Sequence, residues 1–312
     1  MYSAAVLRSV TDVARQGIYC LLSRQSSDGF WRDYHLPPGM SEAWSTAWVG
    51  WCLASCPPPL RSEARTCLQR ALRALSGCRC AGGWGYNRTT GPDADSTAWV
   101  VRFLSHLGAS VGPSVAGLES FLDVHGRAHT FLESDAGAWG DAHPDVTALV
   151  GLALLAAPAS RSTIARVREA VLCAREPGAG WNSFWWTTNT YATYWSAAFL
   201  RRSGGLPVQV ASELQQWLHY TSDLTSSAFE LSHRLLLATA LGLSGGPLAE
   251  MLVDCLLELF EANEGWPPSA HLLVPSKSDD AALEHKGFPD SERLMTTAIA
   301  TRALTNWAME DG

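Results

Sequence analysis

The chain has 312 residues, with 23 Lys plus Arg against 30 Asp plus Glu and a formal net charge of −7. With 47% hydrophobic and 17% charged residues, it can bury a large core and lacks the composition of a disordered protein. An acidic chain without a basic cluster is unlike nucleic-acid-binding proteins, and no apolar run approaches the ~18 residues that span a bilayer. We therefore expect no nucleic-acid partner and at most peripheral contact with a membrane.

The first residues lack the basic start and continuous apolar core of a signal peptide, which predicts a cytoplasmic location. The eight cysteines are then expected to be thiols.

One phrase recurs along the chain: a Gly-Trp turn, a polar stretch, and Thr-Ala at the start of an apolar run. The copies are DGFW (28–31) with SEAWSTAWVGWCLA (41–54), GGWGYN (82–87) with PDADSTAWVVRFL (92–104), GAWG (137–140) with HPDVTALVGLALL (143–155), GAGW (178–181) with TNTYATYWSAAFL (188–200), the degenerate SDLTSSAFELSHRLLLATAL (222–241), and EGW (264–266) with SERLMTTAIATRAL (291–304). Their register residues are Thr46, Thr97, Thr147, Thr193, Ser227 and Thr297. The spacing predicts one domain over 1–312 with six repeats of about 50 residues, the fifth short and the sixth carrying an inserted loop at 267–289.

Each repeat is predicted to form two helices. The run before the turn is amphipathic, as in 13–22 and 61–75, which is typical of a surface helix. The run after the turn is apolar nearly all round, as in 147–157, which is typical of a buried helix. Six outer and six inner helices that alternate along the chain close into a double ring, an all-α α6/α6 toroid, with the inner N-termini at one end.

Two segments resemble the squalene–hopene and oxidosqualene cyclases. The segment RQGIYCLLSRQSSDGFW (15–31) resembles their QW motif, with Gln25, Asp28, Gly29 and Trp31 in order. The segment PDADSTAW (92–99) resembles the Asp-x-Asp-Asp-Thr-Ala acid motif of class II terpene cyclases. Ser96 replaces the last Asp of that motif, where oxidosqualene cyclases have Asp-Cys-Thr-Ala.

This resemblance implies a class II terpene cyclase-like enzyme that cyclises or isomerises a polyene by protonation, without metal or cofactor, with Asp95 as the general acid. The family members have two helical domains and roughly twice this length. A second cavity wall would then come from the ring's own lumen, a homodimer partner or another protein.

Aligning the repeats on the register residues places further candidates at one end of the ring. Two positions before the register residues stand Trp44, Asp95, Asp145, Tyr191, Thr225 and Met295, and four before stand Glu42, Asp93, His143, Asn189, Asp223 and Arg293. A carboxyl group among apolar walls stays neutral and can donate a proton, and neighbouring carboxyls favour this. His143 or Asp93 is expected to orient Asp95. Capping of a helix is the favoured alternative for Asp93 and Asp223.

Aromatic faces attract carbocations by ~0.5–2 kcal/mol. The expected substrate-binding set on the inner helices is Trp44, Trp48, Trp99, Tyr191, Tyr194 and Trp195, with Glu42 and Arg293 at the mouth, and core packing is an equal alternative for each aromatic residue. The tryptophans of the turns, Trp31, Trp84, Trp139, Trp181 and Trp266, are expected to be structural. SFWW (183–186) is a candidate lid. The loop 267–289 either covers the cavity, binds a diphosphate through Lys277, Lys286 and Arg293, or is a solvated insertion.

No set of Cys and His residues converges at the cavity, so no metal is expected. Two other functions fit the same pattern. A carbohydrate-active toroid would use two carboxylates ~5–9.5 Å apart in a wide, wet groove. A non-catalytic ring that binds a lipid or a partner protein would have a filled lumen, with Asp95 capping its own helix.

Overall fold

The computed structural model describes residues 4–133, 135–178, 180–220, 226–275 and 286–310. The helices in these ranges are α1 (Ala4–Ser23), α2 (Ala43–Ala54), α3 (Pro58–Glu63), α4 (Arg65–Gly77), α5 (Ala94–His106), α6 (Gly112–Ser120), α7 (Pro144–Leu155), α8 (Arg161–Cys173), α9 (Asn189–Arg202), α10 (Val208–Tyr220), α11 (Ala228–Ala240), α12 (Pro247–Glu258) and α13 (Leu294–Glu310). Two short antiparallel hairpins join them, β1 (His35–Leu36) with β2 (Gly39–Met40) and β3 (Leu272–Val274) with β4 (Lys286–Phe288). No helix among the described residues is long and apolar enough to cross a membrane.

The helices form two concentric rings. In the inner ring α2, α5, α7, α9, α11 and α13 each pack against the next, and α13 closes the circle on α2. The outer helices α1, α4, α6, α8, α10 and α12 cover them. The burial pattern follows the hydrophobic periodicity, because every residue of α2 is buried but only Leu68, Ala71 and Leu75 of α4 are. The predicted all-α double ring is confirmed.

A tryptophan in the turn fastens the end of an outer helix in four repeats. The indole N–H groups donate at 2.7 Å to carbonyl oxygens near the helix end, in the pairs Trp31–Leu21, Trp84–Leu75, Trp181–Val171 and Trp266–Leu256. The register threonine then binds the backbone of the same turn: Thr97 Oγ1 accepts from the Trp84 N–H and donates to the Trp84 carbonyl, both at 3.0 Å. Each turn is thereby joined to its own inner helix.

Gln25 links two neighbouring outer helices. Its amide donates to the Cys67 carbonyl in α4 at 2.9 Å, and its oxygen accepts from Arg70. Since Gln25 follows the end of α1, it fixes the spacing between α1 and α4.

The third repeat differs from the sequence-based interpretation. Thr147 Oγ1 accepts from the Ala128 N–H at 3.0 Å, and Gly126 before it has a positive φ of 83°. The turn of this repeat is therefore 126–128, with Ala128 in the place of the tryptophan. The assignment of 137–140 as that turn is wrong, because these residues form a 3-10 turn in an inserted segment. Trp139 thus lies outside the repeat pattern.

Two buried carboxyl groups fasten the closing point of the ring. Asp33, in the first repeat, accepts from the Glu292 and Leu294 N–H groups at 3.1 and 3.0 Å. Asp290 accepts from the Thr296 N–H at 2.7 Å. Burial raises the pKa of Asp33 to about 6, and burial together with the charge of Asp33 raises the pKa of Asp290 to about 8.

These raised pKa values predict that the protein loses stability from pH 6.5 to pH 8. An ordinary Asp titrates near pH 3.9, so in this window the folded chain binds more protons than the unfolded chain, and the free energy of unfolding falls as pH rises. The fall should be about 2 kcal/mol and is measurable by denaturant titration. His233, whose pKa burial lowers to about 3, opposes this dependence only below its ordinary pKa of about 6.5.

The matched variant for this prediction is Asp290→Asn, which cannot ionise. Its free energy of unfolding should depend less steeply on pH over the same window. A wild-type stability that rises from pH 6.5 to pH 8 contradicts the prediction.

Candidate active site

Asp93 and Asp95 stand at the start of inner helix α5 but have different environments. Asp93 is the N-cap: its carboxylate accepts from the Ser96 N–H at 2.7 Å and from the Ser96 hydroxyl at 2.8 Å. The serine that replaces the motif's last Asp therefore pairs with the capping residue. This agrees with the capping alternative for Asp93, whose pKa burial raises to about 7.

Asp95, the second residue of α5, is half-buried and faces a cavity. Its Oδ1 is buried, and no described residue donates a hydrogen bond to it. Burial raises the pKa of Asp95 well above its ordinary value, and the charges of Asp93 and Asp145 act in the same direction. The nearby Trp44 indole and the charge of Arg102 act in the opposite direction without reversing the shift. These surroundings favour the protonated form of the carboxyl group, which is the form that can donate a proton.

The cavity has a volume of about 560 Å³ and an almost wholly apolar wall. That volume is within the usual range of small-molecule pockets. The lining residues are Leu36, Pro37, Pro38, Trp44, Tyr86, Thr90, Asp93, Asp95, Ser96, Thr130, Phe131, Glu133, Asp135, Ala136, Trp139, Trp185, Leu272 and Val274. Lys, Arg and His are absent from this described lining. The wall can therefore pack against an apolar chain but has no cationic side chain that would pair with an anion.

Aromatic rings from two loops, the one before α7 and the one before α9, line the same cavity as Asp95. Trp139 and Trp185 lie 5.8 Å apart between ring centroids, and Phe131 lies 6.1 Å from Trp185. Sequence analysis assigned Trp139 to a structural turn, which is wrong, and it did not select Phe131. The signal was the spacing: Trp139 precedes the register residue Thr147 by only 8 residues, whereas 12 to 15 residues separate them in repeats one, two and four.

Asp145 positions the wall of the cavity. Its Oδ2 accepts from the Phe184 and Trp185 N–H groups at 3.0 and 3.1 Å, and Oδ1 accepts from the Val146 N–H. Burial raises its pKa, and these hydrogen bonds and the His143 charge only partly offset the effect. Asp145 thus fixes the backbone of the SFWW segment and, through it, the ring of Trp185.

We expect Asp145→Ala to lower the free energy of unfolding by about 2 kcal/mol, because two half-buried N–H groups lose their acceptor. In an activity assay its KM should rise more than its kcat falls, since the wall is displaced while Asp95 is not. Asp145→Asn keeps an oxygen in reach of both N–H groups and should restore most of the affinity. Equal loss in both variants would mean that the charge, and not the acceptor, matters.

His143 has other partners than Asp95. Its Nε2 lies 2.9 Å from the Ala138 carbonyl oxygen, and its ring stacks on Phe184 at 3.6 Å between centroids. Burial lowers its pKa. No hydrogen bond joins it to Asp95 among the described residues, so the structure places His143 as a packing element behind the SFWW segment.

Glu42 and Arg293 are engaged in ion pairs and are not part of the described cavity lining. Glu42 binds Arg32 and Arg88, each at 2.8 Å. Burial alone would raise its pKa, but these two pairs lower it. Arg293 pairs with Glu261. Asp223, Thr225, Lys277 and the side chain of Lys286 lie outside the described residues, whereas Leu272 and Val274 of the inserted loop line the cavity.

Most of the expected aromatic wall instead fills the lumen. We use the name aromatic plug for the mutually packed side chains Trp48, Trp99, Trp186, Tyr191, Trp195, Phe229 and His233. Trp48 and Trp99 lie 4.4 Å apart, and Trp186 and Tyr191 lie 4.7 Å apart. Trp44 contacts the plug through Trp186 at 6.0 Å and is the one expected aromatic residue in the described cavity lining. Six close helices leave a narrow lumen that large side chains fill.

No family model and no curated protein matches the sequence. A variant of type II terpene cyclase MstE from Scytonema, in complex with the substrate geranylgeranyl dihydroxybenzoate, is similar in structure, with a TM-score of 0.86 at 23% identity over 98% of this chain and 99% of that one. ent-Copalyl diphosphate synthase from Streptomyces platensis is similar with a TM-score of 0.64 at 19% identity, over 86% of this chain and 50% of that one. A glycosidase variant is similar with a TM-score of 0.61 at 12% identity, over 99% of each chain. The chain has the α/α toroid fold of single-domain type II terpene cyclases.

Proposed function

We propose that the protein is a class II terpene cyclase-like enzyme that cyclises or isomerises a polyene substrate by protonation. The observation that carries the proposal is a carboxyl group with a strongly raised pKa, that of Asp95, in an almost wholly apolar cavity of about 560 Å³. The similar fold of MstE, which acts on a geranylgeranyl dihydroxybenzoate, makes prenylated aromatic compounds the first candidate substrates.

In the proposed reaction the Asp95 O–H bond breaks as its proton bonds to an alkene carbon or an epoxide oxygen. The electron-poor carbon that results is attacked by the next double bond of the folded chain, and loss of a proton from carbon ends the sequence. Trp44, Trp139 and Trp185 present aromatic faces toward the developing cation. The apolar wall offers few groups that would capture that cation, so the product is an isomer of the substrate.

The fold similarity to a glycosidase is compatible with the carbohydrate alternative, but the site disfavours it. A glycosidase needs two working carboxyl groups and water. Of the other carboxyl groups in the lining, Asp93 is occupied as a helix cap, and Glu133 and Asp135 are exposed outside the apolar wall that surrounds Asp95. A sugar would also leave its hydroxyl groups unpaired against this wall. The described lining of the cavity comes from this chain, and a homodimer partner or second protein that completes its wall stays a prediction.

The cysteines bear on the location. All eight are free thiols, in keeping with a reducing compartment. We therefore propose that the enzyme works in the cytoplasm.

The test is incubation of the purified protein in D2O with geranylgeranyl dihydroxybenzoate, linear prenyl alcohols and their terminal epoxides. A protonation-initiated cyclisation gives a product of the substrate's composition with one deuterium on the initiating atom, and chromatography with mass spectrometry and NMR locates it. Epoxide-opened products lose an oxygen-bound label to exchange, so the alkene substrates carry the decisive readout. Unchanged substrate throughout, together with hydrolysis of an oligosaccharide panel, would overturn the proposal.

A further inference from the structure

A second cavity lies at the other end of the ring, across the aromatic plug from Asp95. It has a volume of about 330 Å³ and lies near the C-terminal ends of α5, α9, α11 and α13. Four arginines line it, Arg102, Arg201, Arg202 and Arg302, together with the single carboxylate of Glu310. We call this cavity the arginine pocket. None of its arginines forms an ion pair with a carboxylate of the described residues.

Arg102 is the deepest charge in the arginine pocket. It is 3% exposed, and its guanidinium packs over the rings of Trp51, Trp99 and Trp195 at 4.1, 4.4 and 4.6 Å from their centroids. One of its terminal nitrogens is buried without an acceptor among the described residues. Burial and the charge of Arg302 lower its pKa to about 9. Buried charges in proteins are normally paired, so this group points to an anionic ligand.

Arg302, on α13, is in a similar environment: its guanidinium packs over the rings of Trp51 and Trp195 at 4.3 and 5.9 Å from their centroids. Its Nε is also buried without an acceptor in the described part of the chain, although one terminal nitrogen donates to the Tyr194 hydroxyl at 3.1 Å. Arg201 and Arg202 are exposed in the last turn of α9, where cations complement the negative end of a helix dipole. That effect accounts for Arg201 and Arg202 but supplies no acceptor for Arg102 or Arg302.

We propose that the arginine pocket binds a phosphate-bearing anion. Guanidinium groups match phosphate oxygens through paired N–H donors. Four arginines against one carboxylate suit a multiply charged group better than a single carboxylate ligand. The apolar part of the wall, formed by Trp51, Leu152 and Leu236, leaves room for a short organic substituent. The arginine pocket shares no lining residue with the Asp95 cavity, so its occupancy does not depend on the proposed cyclase activity.

The test is calorimetric titration at low ionic strength with inorganic diphosphate and, separately, a short alkyl diphosphate. The wild type should bind one equivalent, and Arg302→Gln should weaken binding about tenfold or more. Arg102→Met, which keeps an apolar chain over the tryptophans, should have an effect at least as large. Arg73→Gln removes one exposed charge from α4, outside the arginine pocket, and should change the affinity less than twofold.

The two probes distinguish a free phosphate ligand from one with an organic substituent, since tighter binding of the alkyl compound indicates contact with the apolar wall. Asp95→Asn should bind both probes as the wild type does, which separates this result from the cyclase proposal. Absence of saturable binding in the wild type, or equal weakening by Arg73→Gln and Arg302→Gln, would overturn the proposal.

Discussion

Asp95→Asn is expected to lower the rate of product formation by about 10³-fold or more while the protein remains folded. The amide has nearly the size of the carboxyl group but cannot supply a proton, and the helix cap on Asp93 is untouched. Because the folded state raises the pKa of Asp95, its removal should leave stability unchanged or higher above the ordinary Asp pKa of about 3.9. Single-turnover product analysis and denaturant unfolding of both proteins measure the two effects.

Asp93→Asn is the matched control, because Asn caps helices as well as Asp does. It removes a charge that raises the pKa of Asp95, so activity should be retained within about tenfold. Activity requires protonated Asp95 and falls as pH rises through its pKa, so this fall should move to lower pH in Asp93→Asn. Inactive Asp93→Asn beside active Asp95→Asn would exchange the two assignments.

Gly83→Ala is expected to destabilise the fold by about 3 kcal/mol or more. Gly83 has a φ of 147°, and a Cβ there would lie 2.3 Å from Oγ1 of Thr97. That oxygen is held in place, because it forms hydrogen bonds with both the N–H and the carbonyl of Trp84. Denaturant unfolding monitored by tryptophan fluorescence measures the loss.

Gly77→Ala is the control on the preceding outer helix. A Cβ there meets no atom within 4 Å, so the change should be neutral or stabilising by up to about 1 kcal/mol. Gly180 and Gly265 oppose Thr193 and Thr297 in the same way, each at 2.5 Å, and should respond as Gly83 does. A cost below 1 kcal/mol for Gly83→Ala would show that the contact between turn and register threonine is not what holds the repeats.

The ring could be predicted because its determinants are local and repeated. A turn tryptophan that donates to the end of the outer helix, and a threonine that binds the same turn, recur at a spacing that is visible in a single sequence. In the third repeat Ala128 stands in the place of the turn tryptophan, and the sequence analysis therefore placed the turn wrongly at Trp139. The position of Asp95 followed from its motif, whereas its raised pKa depends on burial and on the charges of Asp93 and Asp145.

The cavity wall could not be predicted in the same way. Trp139, Trp185 and Leu272 come from three loops. They lie together because of tertiary contacts, such as the hydrogen bond from the Trp185 N–H to Asp145. Arg102 carries little local signal of its surroundings either, because two of its three ring partners, Trp51 and Trp195, lie on other helices. The six inner aromatic residues showed a lining pattern, but the width of the lumen decided that most of them fill it.

The aromatic plug separates the Asp95 cavity from the opposite end of the ring. Stacked rings such as Trp48, Trp186 and Phe229 close its floor, so substrate cannot enter at one end of the ring and product leave at the other. Substrate entry and product exit then take place on the same side of the plug, so a bound product blocks the entry of substrate. The released product should therefore inhibit competitively against its own substrate. An intramolecular cyclisation suits such a chamber, since one molecule enters and one isomer of the same composition leaves.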